Sequence, residues 1–138
     1  MDGNRITRYR QKISVIEKRR ENIKIWIDEE DEKSVLAVYK SYQELIESFT
    51  DIFAMIVKDM NELVEDDYTN IEKLRERGIL SEEQEGLMKE ANGLRNRLVH
   101  EYNGLERETA VNSIRRINSK LDKVLEKVKK WIKNRSKG

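Results

Sequence analysis

At 138 residues and 16.5 kDa the chain is the size of one domain, long enough to bury a core without covalent staples. The absence of cysteine excludes disulfides and thiolate zinc sites, and no run of roughly 18 apolar residues exists to span a membrane. A formal net charge of +1 excludes a generic polyanion binder. The opening MDGNRITRYRQK has no apolar stretch behind its basic residues, so no signal peptide is expected and the protein is expected to be cytoplasmic. With no proline, 37% hydrophobic and 40% charged residues, the composition is that of long amphipathic helices with solvated outer faces.

The first predicted helix covers Arg5 to Ile27, where Ile6, Tyr9, Ile13, Ile16, Ile23 and Ile27 recur at three- and four-residue spacing. The acidic run Asp28-Glu29-Glu30-Asp31-Glu32 follows and suits the positive N-terminal end of the next helix. That second helix starts near Asp31, and its apolar residues continue from Val35 through Ile56, Met60 and Leu63 without an interrupting glycine. Two of its faces are apolar, more than one neighbour can cover. Thr69-Asn70-Ile71-Glu72 has capping-box spacing and predicts a short helix with Thr69 at its N-cap. Gly78 supplies a left-handed residue that ends it, turning Ile79 back onto Leu74. Ser81-Glu82-Glu83-Gln84 is a second capping box, and the helix it opens carries the stripe Leu87, Ala91, Leu94, Leu98 and stops at Asn103-Gly104. The last helix runs from Arg107 to about Asn134. The expected fold is all-α, a single domain over 1–138, an up-and-down bundle of four long helices and one short one. From Lys120 onward eight basic residues stand against two acidic ones; this tail is either a solvated helix face or an attractor of RNA phosphates.

Most catalytic constellations fail on counting. One histidine excludes His-based metal clusters, and no glycine-rich loop cradles a nucleotide, so no metal or cofactor is expected. The segment Arg95-Asn96-Arg97-Leu98-Val99-His100-Glu101-Tyr102 is different, because it gathers Arg95, Asn96, His100 and Tyr102 within two helical turns. His100 as a cap of the helix C-terminus is one account of it. Helix geometry supplies another: with Leu94 at zero, the core stripe centres near about 30°, Arg95 and Tyr102 fall near roughly 100° and 80°, and Asn96 and His100 near roughly 200° and 240°. Val99, apolar, lies between the pairs at about 140°, on a face that should be wet. Arg95 and His100 cannot converge on one small group from a single helix. A second copy of the face, with Val99 in the contact, brings them together, so the motif reads as half of a homodimeric site.

The motif Arg-Asn-x-x-x-His-x-Tyr is similar to the signature of the HepT-like ribonuclease toxins of the HEPN superfamily. Asp51-Ile52-Phe53-Ala54-Met55-Ile56-Val57 resembles that family's central helix, and Ile71 to Leu80 its short helix and turn, so the likeness covers about residues 35 to 115. The resemblance implies a metal-independent endoribonuclease acting as a homodimer on RNA, the toxin of a toxin-antitoxin pair. It also implies a cognate minimal nucleotidyltransferase as antitoxin, attaching AMP to Tyr102. In that reading His100 exchanges the proton, Arg95 neutralises the phosphorane, and Asn96 orients the imidazole or the substrate. Asp51, within an apolar stretch, is either a buried partner of Arg95 or a residue beside a dimer axis. The alternative function is a non-catalytic subunit that presents a nucleotide or substrate to the transferase, with the motif as an anion site; the two differ in whether His100 transfers a proton. Tyr102 itself is either the modified residue or a packing tyrosine at the edge of the seam.

Overall fold

The computed structural model describes residues 1–101 and 104–136, and among them there are five α-helices and no strand. In chain order these are α1 (Gly3–Trp26), α2 (Glu32–Asp59), α3 (Asp67–Glu76), α4 (Glu82–His100) and α5 (Arg107–Ser136). No helix among the described residues is long and apolar enough to cross a membrane. The breaks expected near 28–31 and 78–81 are present, the one expected near 66–69 falls earlier, between Asp59 and Asp67, and four helices are long and one short.

Side-chain caps set most of the boundaries. Asp31 caps α2 by accepting from the Ser34 N–H at 3.0 Å, so the acidic run closes α1 and opens α2 as its charge suggests. Its member Asp28 instead pairs with Arg115 of α5 at 2.7 Å. Ser81 and Gln84 form the expected reciprocal capping box of α4. Gly78, at φ 75°, ends α3 in a Schellman turn: the Ile79 N–H reaches the Leu74 carbonyl and the Gly78 N–H that of Arg75, each at 2.9 Å.

Two boundaries differ from the sequence reading. The N-cap of α3 is Asp66, which accepts from the Thr69 N–H at 2.9 Å, so Thr69 sits inside the first turn and is not the cap. Asn70 takes part as well, its side chain bonding both the N–H and the carbonyl of Glu65. Secondly, α4 ends at His100, with Glu101 as its C-cap, three residues before the predicted stop. Leu63, assigned to α2 from its apolar character, lies beyond that helix and is 72% exposed.

The core is one cluster. α2 lies at its centre and packs on α1, α3 and α4, which bury Tyr42, Leu45, Ile46, Phe49, Ile52, Phe53 and Ile56 completely. Its two apolar faces are therefore covered within one protomer, and the excess surface needs no second chain. α1 runs antiparallel to α2, tied by Arg5–Asp59, Lys12–Asp51 and Arg19–Glu44 from one end to the other. α5 closes the bundle along α1 and α4, with Arg20 and Asn118 exchanging side-chain to backbone hydrogen bonds.

Candidate active site on the last turns of α4

α4 delivers the motif, and its orientation follows from what it buries. Met88, Ala91, Asn92, Leu94 and Leu98 face the core. One turn before the motif, the buried Tyr42 of α2 donates its hydroxyl to the Ala91 carbonyl at 2.7 Å, locking α4 onto the central helix. Burial, and then the nearby Glu90, push the Tyr42 phenol far above its ordinary range.

Along its other flank α4 is bound to the antiparallel α3. Arg75 pairs with Glu85 at 3.1 Å and Lys89 with Glu72 at 2.7 Å. The series ends at the motif, where Arg95 Nη2 approaches Asp67 Oδ2 at 3.8 Å. The same Nη2 donates to Asn96 Oδ1 at 3.0 Å. Arg95 is thus presented at the surface with its stem half-buried, while its Nε is buried and meets no acceptor among the described residues. Asn92, one turn earlier and buried, has an Oδ1 that likewise meets no donor there.

Leu98 is 2% exposed and Val99 is 49% exposed, so adjacent residues divide as the helical wheel requires: one in the core, the other on the wet motif face. His100 is exposed on the final turn of α4. Arg97 is exposed too and loosely paired with Glu101 at 3.8 Å. Tyr102 lies outside the described residues, as does Asn103.

Two pairings differ from the sequence reading. Asp51 is not Arg95's partner: it is half-exposed and held by Lys12 of α1 at 2.8 Å, on a different seam of the bundle. The carboxylate beside Arg95 is Asp67, in the first turn of α3. Asn96 turns its oxygen to Arg95, so its orienting contact is with the guanidinium and not with the imidazole. Sequence reasoning missed Asp67 because the pairing depends on how α3 lies against α4, although acid at a helix N-terminus is itself an ordinary signal.

The basic tail is partly structural. Lys129 pairs with Glu17, and Arg135 donates to the Asp59 carbonyl at the far end of the bundle. There Asp59 also accepts from Arg5 Nε at 2.9 Å and from the Tyr9 hydroxyl at 2.6 Å. Burial pushes the Asp59 carboxyl up, but the Arg5 and Tyr9 hydrogen bonds outweigh it and hold it below the usual carboxylate range. These charges are engaged with each other, which makes that end an anchor for three helix termini.

Among the described residues no cluster of three His, Asp or Glu side chains is arranged to hold a metal ion. What the motif face offers is a guanidinium with a weakly held second partner, an amide beside it and an imidazole in solvent. Those groups suit anion binding and proton exchange.

Comparison with known proteins points the same way. The sequence model of the family described as "Ribonuclease HepT-like" matches residues 9–128, from the first buried tyrosine of α1 to the last third of α5. A protein of Archaeoglobus fulgidus bearing the name "Putative RNase" is 44% identical over 94 residues, 68% of this chain and 71% of the relative. A second protein of that name and organism is 39% identical over 107 residues, 78% of each chain. A relative from Methanocaldococcus jannaschii is 41% identical over 68 residues, 49% of this chain and 78% of its own.

Proposed function

This chain belongs to the HepT-like ribonuclease family, and we propose that it is the toxin of a type VII toxin-antitoxin pair, a metal-independent endoribonuclease working as a homodimer. The observation that carries this reading is the motif's position: Arg95, Asn96 and His100 lie on the last two turns of α4, within the residues that the family model matches and outside the buried core.

The proposed reaction follows from those groups. The 2′-hydroxyl of RNA attacks the adjacent phosphorus and gives up its proton, the P–O5′ bond breaks, and the leaving oxygen takes a proton. The products are a 2′,3′-cyclic phosphate and a 5′-hydroxyl. His100, on an exposed turn, exchanges the proton, and Arg95 offers a planar fork of donors to the equatorial oxygens. Asn96 keeps that fork in place. Five residues apart on one helix, the two side chains diverge by roughly 140°. The second copy, packed across Val99, brings the Arg95 of one motif toward the His100 of the other.

Regulation is proposed to come from a minimal nucleotidyltransferase that attaches AMP to Tyr102, two residues beyond His100. The added phosphate would compete for the guanidinium that the scissile phosphate needs. The test of the core proposal is cleavage of a labelled RNA by the parent and by His100→Ala, with the 3′ ends of the products identified. Cleavage to a cyclic phosphate that vanishes in His100→Ala is the expected result. Equal cleavage by both, or none by the parent, refutes the proposal.

A further inference from the structure

Tyr68 is the exposed ring among the described aromatic residues: Tyr9, Tyr39, Tyr42, Phe49 and Phe53 are buried, and Trp26 and Trp131 are packed against the core. Its position is as telling as its exposure. It follows Asp67, the residue that approaches Arg95, in the first turn of α3. Its hydroxyl reaches across to α4, 3.5 Å from the point a Cβ would occupy on Gly93, one turn before Asn96. That hydroxyl makes no hydrogen bond among the described residues. With its hydroxyl end over Gly93, the ring is anchored on α4 and still leaves 38% of the residue open to solvent.

We propose that Tyr68 forms a nucleobase subsite, stacking on the base of the nucleotide next to the phosphate that Arg95 holds. This rests on the ribonuclease reading of the motif face. The two contacts fit one nucleotide: Asp67 and Tyr68 are neighbours in the chain, so a phosphate taken by Arg95 has its adjoining base within reach of the ring. Aromatic stacking accepts any base, because every base has a π-face. The subsite therefore sets where the strand lies and leaves the identity of the base open.

The test uses His100→Ala protein, so that RNA stays intact, and measures anisotropy of a short fluorescein-labelled single strand. Tyr68→Phe is expected to bind as the parent ring does, and Tyr68→Leu roughly 5- to 100-fold more weakly, the range of one lost stacking contact. The strand is then scanned with an abasic nucleotide at each position. At one position the abasic strand should weaken the Tyr68 protein to the level of Tyr68→Leu and leave Tyr68→Leu itself unchanged. Equal binding by Tyr68 and Tyr68→Leu, or losses that simply add at every position, overturns the subsite. So does a Tyr68→Leu protein whose weaker binding tracks a dimer dissociated by light scattering, which assigns the ring to the second copy. Failure of the ribonuclease reading looks different: the stacking pattern persists, but protein with His100 intact cuts nothing.

Discussion

Leu98 and Val99 are neighbours with opposite fates, and exchanging each in turn separates the fold from the proposed dimer. Leu98 is 2% exposed, so Leu98→Ala should cost about 2–5 kcal/mol of protomer stability through lost burial and the cavity left behind. Val99 is 49% exposed, so Val99→Glu should change protomer stability by only about 0.5 kcal/mol. In a twofold interface the exposed half of Val99 is buried twice. Fully burying a valine is worth about 1.5–3 kcal/mol, so the two half-exposed copies together contribute roughly 2 kcal/mol. Glutamates in their place lose that and set two like charges near the axis, for a total of about 2–4 kcal/mol, or roughly 30- to 1,000-fold in dimer Kd. Light scattering across a dilution series, with thermal melts alongside, reads both quantities. A Val99→Glu protein with the parent's dimer Kd refutes the interface. A Val99→Glu protein that melts as low as Leu98→Ala refutes the division of faces.

The remaining predictions concern chemistry and charge. His100→Ala and Arg95→Ala should each remove most RNA cleavage, measured on a labelled strand; His100→Ala should keep the parent's melting midpoint, and Arg95→Ala should lose slightly more because its stem is half-buried. EDTA should leave cleavage intact, and activity abolished by chelation and restored by magnesium would refute the metal-free route. Co-expression with a neighbouring nucleotidyltransferase should add AMP units, seen by intact mass, that disappear in Tyr102→Phe. Asp59→Asn should cost about 1–3 kcal/mol at neutral pH, the worth of hydrogen bonds to a charged group. Because the folded-state pKa of Asp59 is lowered, its contribution is complete above the unfolded value near about 3.9 and is lost as pH falls through the folded value. Chemical denaturation from pH 7 to pH 2 should therefore show a shallower acid limb in Asp59→Asn than in the parent.

What was legible in the sequence was local. The Gly78 turn and the Ser81–Gln84 box are written in residues three to five apart, and both stand in the structure as read. The α3 cap was misplaced by three residues because two hydroxyl and carboxylate patterns overlap there, and Asp66, the stronger N-cap type, wins over Thr69. The early end of α4 had no such signal, since nothing before Asn103-Gly104 breaks a helix. Long-range pairing was illegible throughout. Asp51 meets Lys12 across 39 residues and Tyr9 meets Asp59 across 50, and no periodicity encodes either. The second apolar face of α2 argues from the sequence for a second copy of the chain, because a stripe alone does not say which neighbour covers it. In the structure α3 and α4 cover it.

That assignment moves the weight of the site onto the α3–α4 seam. Three ion pairs line it, at 3.1 Å, 2.7 Å and 3.8 Å, and the longest is the one at the motif. The two short pairs, together with the Schellman turn joining the helices, hold α3 in register against α4. The third is too long for a direct hydrogen bond and half-open to water, so it is worth at most about 1 kcal/mol. In the proposed reaction a phosphate taking Arg95 through two parallel donors therefore displaces little, and Asn96 remains to keep the guanidinium from swinging away. Were Arg95 locked to Asp67 as tightly as Lys89 is to Glu72, substrate would have to break a strong pair before binding. Were Asp67 absent, a half-buried guanidinium would meet only the neutral amide oxygen of Asn96 in the free protein. The 3.8 Å contact lies between those extremes: on the proposed reading it positions the arginine before substrate arrives and gives way when it binds.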